Sequence, residues 1–458
     1  MTDRQGFVSG PISDEPLRIW ERWAVAGLLV VILGFGVLVE VRSAFLSKRR
    51  TDASCYFRAG WAVRSGANIY EVTDDNYWHY AYPPGFAVLM VPLADAPAGE
   101  SRQGMLPYSV TVGIWYVLEV LATLLAVHWF AAAIEESSAN PAPRGSRRWW
   151  YARLIPIYVC LAPIGCTYSR GQVNMFLVAL IAGIFRATVR GRRFASGLWL
   201  AAAICLKIFP AFLLIFPVWR RDGRALLGVA AGLLIGIGLI PALVWGTQGA
   251  IDVHAKLVEA VIKPGLGIGG EATRDKELME MTATDNQSIQ AVVHNYRNWS
   301  ATIRPPHADA STKAIHLIAG LLLTGGLVLA YGRRSFDDAT RNLLFLGGLV
   351  LVMTVTSPVS HTHYFCLALP AVMGLAARSM GEFPKRPAPP WPTLIFLYAV
   401  GICFALPMIP YWQHRREFGL SLFGCLALWI AVVTQLRVER RRAVSPRVAE
   451  PLPLARAA

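Results

Sequence analysis

"FASGLWLAAAICLKIFPAFLLIFPVWRR", residues 194–221, places one cation, Lys207, inside a long apolar run. Read as a single span, the run crosses a bilayer once. Read as a tight helical hairpin turning at 207–210, it crosses twice and carries Lys207 at the tip. The two readings send later loops to opposite sides. A single span separates the basic loops at 333–341, 378–386 and 437–447 from those at 144–153 and 186–193, whereas a hairpin gathers all of them together. Short loops rich in Lys and Arg collect on the cytoplasmic side of polytopic proteins. The charge bias therefore selects the hairpin, and Pro210 supplies the break.

Outward from this stretch, the whole chain has the same character. It has 458 residues, 55% hydrophobic and 16% charged, with a mean hydropathy of +0.43. That composition excludes an ordinary soluble domain and predicts an all-α integral membrane protein. Twelve membrane segments are expected: 19–45, 108–134, 154–168, 172–189, 194–206, 208–219, 224–246, 312–332, 341–356, 362–378, 392–409 and 418–436. The first is longer than a signal-peptide core and lacks a small-x-small cleavage site, so it reads as a retained span. Residues 1–18 form a cytoplasmic tail and 437–458 a basic, Pro-rich cytoplasmic one. Two long loops, 46–107 and 246–311, then face outward. In the first, "YPPGFAVLMVPLADAP" is too short to span and reads as interfacial or dipping into the membrane. The net charge of +15 is a topology signal, not a nucleic-acid footprint. Seven cysteines without CxxC or metal-like spacing predict neither disulfides nor a thiolate metal site.

The hairpin topology sends five polar clusters to one face: Asp52; "YPPG", 82–85; "SRGQVN", 169–174; Lys207; and "SPVSHTHY", 357–364. "TDNQS", 284–288, lies in the second outer loop. Polar groups at membrane depth are costly and tend to line a site. Asp52, in "KRRTDASCYFRAG", has two readings: an N-cap for the amphipathic stretch after it, or a general base. Arg170 either snorkels to the interface or, in a small donor-rich turn, holds an anionic oxygen. Lys207 has apolar sequence on both sides and needs an anionic partner, for which phosphate is suited. His361 and His363 flank Thr362; without acidic or Cys partners they make a weak metal pair, and interfacial, proton or phosphate contacts fit them better. Asn286 and Gln287 either bond sugar hydroxyls or belong to an ordinary polar loop. Gly228, Gly232 and Gly236 repeat every fourth residue and predict close helix packing.

An Asp after the first span, "YPPG", "GQVN", "LKxxP", "NQS" and "SPxSxxHY", in that order, resemble the polytopic family 87 glycosyltransferases of GT-C architecture. That family includes bacterial polyprenyl-phosphate-mannose-dependent mannosyltransferases and related arabinofuranosyltransferases. The resemblance covers roughly residues 52–364. It implies a GT-C-type bundle with an outward-facing site in the bacterial cytoplasmic membrane, a polyprenyl-phosphate sugar donor and a glycolipid or glycan acceptor. Asp52 matches the family's general base and His363 a functional histidine after the Ser-Pro motif. Two departures stand out. His361 occupies a place where relatives often carry an aromatic, which leaves open which histidine acts. "IQAVVHN" follows "NQS" where Gly and Arg are often found.

The expectation is a single inverting displacement. Asp52 and His363 are the catalytic candidates. Arg170, Lys207 and His361 are candidates for the donor phosphate, and Tyr82, Gln172, Asn174, Asn286 and Gln287 for the substrate. No metal or cofactor is expected, because the departing phosphate stays anionic and protein cations can stabilise it. The rivals are a transporter or lipid-linked-sugar flippase, and a receptor or scaffold. A transporter's ionisable groups should lie near mid-membrane within related halves, and no internal repeat is visible.

Overall fold

The computed structural model describes residues 14–46, 51–269, 274, 277–279, 281–301, 303–333, 338–380 and 391–444. The cluster of Lys48, Arg49 and Arg50, most of the N-terminal tail and the end of the C-terminal tail lie outside them. Among the described residues the regular structure is helical, with isolated β-bridges but no strand.

The chain begins with α1 (Ile19–Glu40), followed by α2 (Ala53–Ser65), α3 (Pro84–Leu89) and α4 (Tyr108–Ser137). Then come α5 (Arg147–Val159), α6 (Leu161–Arg170), α7 (Asn174–Val189), α8 (Arg193–Leu206), α9 (Ile215–Trp219), α10 (Gly223–Leu233), α11 (Ile240–Leu257) and α12 (Lys263–Leu266). The remainder is α13 (Ile289–Arg297), α14 (Ala310–Tyr331), α15 (Ala339–Val355), α16 (Leu369–Ser379), α17 (Trp391–Ala405) and α18 (Leu420–Val444). Among the described residues, 6 helical runs are long and apolar enough to cross a membrane, or 7 if α5 and α6, bent by 64°, form one broken span. This is a multi-pass membrane protein. Shorter apolar helices at Asn174–Val189, Arg193–Leu206, Phe209–Trp219 and Ala339–Val355 fill the interior.

The 194–221 stretch does reverse. A Cβ at Gly228 would lie 2.1 Å from the Phe194 carbonyl oxygen, at Gly232 2.5 Å from Ala201 Cβ, and at Gly236 2.4 Å from Cys205 Sγ. These contacts climb both helices in step, so α8 and α10 run parallel. The chain between them must travel back along α8, which brings Arg193 within 3.9 Å of Asp222. The glycine stripe permits this closeness, as the four-residue spacing predicts.

Ion pairs then tie the basic loops to one end of the bundle. Arg147 meets Glu21 at 3.0 Å, Arg153 meets Glu135 at 2.7 Å and Arg190 meets Glu136. Arg220 reaches the Tyr331 hydroxyl, and Arg378 joins Asp338 to Glu439. Lys207, at the hairpin tip, lies at the other end, beside the start of α7.

Three boundaries differ from the sequence reading. The α5 helix starts at Arg147, not 154, because the arginines in its first turns are neutralised by partners on α1 and α4. The helical run after Gly223 continues past Gly246, where the chain kinks at φ 73°, to Leu266. The supposed second outer loop thus begins as helix. At the other terminus α18 continues to Val444, beyond the expected 436.

The segment between α1 and α4 is folded rather than loose over its described residues. Tyr56, Phe57, Tyr80, Phe86 and Trp115 anchor an apolar cluster that also takes in Val173, Leu257, Ala260 and Val261. The α3 part of "YPPGFAVLMVPL" is mostly buried there, Leu89 excepted. Arg274 links that segment to the helical run ending at Leu266 by donating to the Tyr80 and Ala260 carbonyls.

Candidate active site

Three segments meet where α2 begins. The Asp52 backbone N–H donates to the Arg170 carbonyl at 2.8 Å, and Thr51 Oγ1 donates to the same oxygen. Asp52 occupies the N-cap position of α2, but its carboxylate makes no capping bond. The Ala53 N–H is instead taken by Thr51 Oγ1, so the capping reading of the Asp52 side chain is corrected. Its carboxylate instead receives a 2.6 Å hydrogen bond from Gln172 Nε2. Gly171, at φ 64°, makes this meeting possible, since a Cβ there would sit 2.7 Å from Ala53 Cβ and 2.9 Å from Thr51 Oγ1.

The Gln172 amide is oriented by two tyrosines. Tyr56 and Tyr82 hydroxyls lie 3.2 Å and 3.3 Å from its Oε1 and 2.9 Å from each other. Burial pushes both phenols well above their usual range, so they remain donors. With Oε1 held on that side, Nε2 faces Asp52. Tyr82 then connects to the hairpin tip, for its ring lies 5.5 Å from Lys207 Nζ.

Lys207 donates to the Tyr364 hydroxyl at 2.9 Å and to Asn174 Oδ1 at 3.4 Å, and sits 4.1 Å from the Tyr364 ring centroid. No carboxylate among the described residues forms an ion pair with it. Asn174 is fully buried and bridges Lys207 to the His363 carbonyl. The His363 ring is buried beside Tyr364, with neither ring nitrogen hydrogen-bonded.

Arg170 Nη2 donates to Asp285 Oδ2 at 3.2 Å. His361 Nδ1 lies 3.2 Å from the other oxygen, at ion-pair range though not aligned for a hydrogen bond. Burial works to raise the Asp285 carboxyl, but His361, Arg170 and Arg416 outweigh it and hold it well below the usual carboxylate range.

Asn286 and Gln287 stand behind the site. Both are fully buried. Asn286 Oδ1 accepts from the Ser360 and Ser288 N–H groups, and its Nδ2 donates to the Pro358 carbonyl. Gln287 Oε1 accepts from the Ser421 N–H. With the bridge between Asn286 and His361, these bonds staple "TDNQS" to "SPVSHTHY".

The structure thus brings together Asp52, Tyr82, Gln172, Asn174, Arg170, Lys207, His361 and His363, and sets Asn286 and Gln287 in the supporting layer. It adds Tyr56, Tyr364 and Asp285. The last two stand inside motifs singled out in the sequence, which was the available signal. Tyr56 carried none beyond its nearness to Asp52. Among the described residues no cluster of three or more His, Cys, Asp or Glu could hold a metal ion.

Known proteins supply the remaining comparison. A polyprenol-phosphate-mannose-dependent alpha-(1-2)-phosphatidylinositol mannoside mannosyltransferase of Mycobacterium tuberculosis is 27% identical over 64% of this chain and 61% of its own length. The match therefore spans less than two thirds of that relative. The Mycolicibacterium smegmatis protein of the same description is 27% identical over 90% of this chain and 85% of its own. Among solved structures, ArnT from Cupriavidus metallidurans bound to undecaprenyl phosphate covers 93% of this chain and 78% of its own, at 13% identity and a TM-score of 0.37, too remote to argue from. The pattern of Glycosyltransferase family 87 matches residues 80–358. That is more than half of the chain, which belongs to Glycosyltransferase family 87.

Proposed function

We propose that this enzyme moves a mannosyl group from a polyprenyl-phosphate carrier to a hydroxyl of a glycolipid or glycan, at the outer face of a bacterial cytoplasmic membrane. The observation that carries the proposal is one continuous ribbon. Asp52 stands at one end, Gln172 and Tyr82 in the middle, and Lys207, a cation whose partners among the described residues are neutral, at the other. The broken span, the short apolar helices and the segment through α16 bring the crossings to twelve in a GT-C-type bundle. The basic end faces the cytoplasm.

In the reaction the acceptor oxygen attacks the anomeric carbon as its proton passes to Asp52. The bond from that carbon to the phosphate oxygen breaks, its electron pair leaves with the polyprenyl phosphate, and the anomeric configuration inverts. The leaving group gains a negative charge, which Lys207 and Arg170, with His361 or His363, stabilise. These protein cations supply the charge that a metal would otherwise provide, so we propose a transfer without metal or cofactor. Asn286 acts here as a support rather than a sugar contact, since both ends of its amide are engaged with backbone, and Gln287, fully buried with Oε1 on the Ser421 N–H, stands beside it. A transporter would need ionisable groups reachable from both faces, and this cluster lies at one end.

The test uses purified enzyme with labelled polyprenyl-phosphate mannose and a phosphatidylinositol mannoside extract. Wild type should transfer label, and Asp52→Asn should lose on the order of 10³-fold or more of the rate with unchanged membrane insertion. Substantial transfer by that variant sinks Asp52 as the base. Absence of transfer by wild type sinks the donor assignment.

A further inference from the structure

We infer that Asp285 is a positioning residue that tethers the Arg170 guanidinium away from Asp52, keeping the base free of an ion pair. The inference rests on the proposed role of Asp52 and begins from the backbone. The Arg170 carbonyl accepts both the Asp52 N–H and the Thr51 hydroxyl, so the two residues are locked side by side. An arginine fixed next to a carboxylate ordinarily folds onto it, because the guanidinium fork matches both oxygens. Here it does not. Asp52 takes the neutral amide of Gln172 at 2.6 Å, while Arg170 reaches across to Asp285 on a segment 115 residues away.

Asp285 is placed to compete. The bridge between Asn286 and His361, the Asn286 amide on Ser360 and Pro358, and the Gln287 backbone bond to Ser360 fix the chain that carries it. Its second oxygen faces His361. The carboxylate is therefore held from the far side of the site, and Arg170 need only extend to meet it. Gln172 completes the arrangement by bonding Asp52 Oδ2, so that the Arg170 and Asp52 charges act on each other through space without an ion-pair contact. A carboxylate paired with arginine is a poorer proton acceptor than one hydrogen-bonded to an amide, so the tether serves the proton transfer without touching substrate.

Asp285→Asn keeps shape and removes charge. It should lower kcat/KM with polyprenyl-phosphate mannose on the order of 10- to 100-fold. Adding Arg170→Gln should suppress that loss, leaving the double variant within about 3-fold of Arg170→Gln alone. Asp285→Glu, which still reaches the guanidinium, should retain most activity. A residue that merely supported the loop would give losses that multiply, and multiplied losses overturn the inference. So does an Asp285→Asn enzyme at the wild-type rate. A second readout needs no sugar: labelling of Asp52 by a water-soluble carbodiimide, followed by mass spectrometry, should slow in Asp285→Asn and recover in the double variant. Unchanged labelling overturns the tether even if wild type transfers no mannose, a result that by itself overturns only the donor assignment. If the Asn variant is not recovered from membranes, Asp285→Ser leaves Arg170 equally untethered and takes its place.

Discussion

Replacing Lys207 with Met should inactivate the enzyme without destabilising it. The stem length is kept and the charge removed. What is lost can be worked from the site. As the glycosidic bond breaks, the phosphate goes from one negative charge to two. A cation about 4 Å away, at an effective dielectric near 20, attracts the added charge by about 4 kcal/mol. Removing comparable transition-state donors costs about 3–4 kcal/mol in other enzymes. At about 1.4 kcal/mol per decade, kcat/KM should fall roughly 10²- to 10³-fold. Stability should move differently. Among the described residues Lys207 has no carboxylate partner, so its removal leaves no opposite charge stranded there. The lost contacts, the Tyr364 hydroxyl at 2.9 Å and its ring at 4.1 Å, are set against relief from desolvating the ammonium. Thermal unfolding in detergent should stay within a few degrees of wild type or rise, whereas Arg153→Met, which strands Glu135, should lose stability clearly. The assay is label transfer from polyprenyl-phosphate mannose, read beside unfolding of the same preparation. A Lys207→Met enzyme with more than about a tenth of wild-type kcat/KM, or one that unfolds as readily as Arg153→Met, refutes the phosphate role.

Three further perturbations probe the supports of the site. Gly171→Ala adds a Cβ against Ala53 and Thr51 at positive φ, so both unfolding temperature and transfer should drop; a variant equal to wild type in both would show that the turn relaxes freely. Asp285 is held down in the folded protein, so its stabilising contribution is full above the unfolded carboxyl's pKa of about 4 and shrinks as pH falls through and below it. The gap in unfolding temperature between wild type and Asp285→Asn should therefore narrow from about pH 6 to about pH 3, and a constant gap would contradict the ion pairs. Glu119 is fully buried in α4 with neither carboxyl oxygen hydrogen-bonded. Glu119→Gln should leave activity intact and unfolding temperature unchanged or higher, and lost transfer would draw Glu119 into the reaction.

How much of this could be read from the chain depended on whether a residue looked out of place in its own neighbourhood. Lys207 did, since an ammonium among leucines and phenylalanines demands a reason, and so did Asp52 beside a span. The reversal at 207–210 was legible because charge accumulates over many loops and one misplaced crossing would scatter it. The start of α5 was not. Arg147 and Arg153 count against a membrane helix until Glu21 and Glu135 arrive from other helices to neutralise them. Gly246 looked like a helix stop, yet the chain kinks there and continues. Asp285 sat in a polar loop where a carboxylate needs no explanation, and its meaning came from Arg170 and His361 far away in sequence. A carboxamide that grips backbone and one that grips sugar look alike in sequence, which is why the backbone bonds of Asn286 and of Gln287 Oε1 were not legible there.

The spacing inside "GQVN" shows how the two ends of the ribbon are held apart. Asp52, the proposed base, adjoins the apolar cluster built on α2, α3 and Trp115. The cation belongs to the junction of the hairpin tip with Tyr364, against the main core. These two bodies meet along residues 171–175. Val173 is buried in the first and Met175 in the second, while Gln172 and Asn174 send their amides to Asp52 and to Lys207. Two buried apolar residues thus alternate with two amides, and a few residues of chain set where the base stands relative to the cation. The two bodies are also joined by α4, which buries Val112 and Trp115 in the first and Ala122 and Ala126 in the second. The turn therefore helps to set the separation between Asp52 and Lys207, and Gly171 lets it come against Thr51 and Ala53.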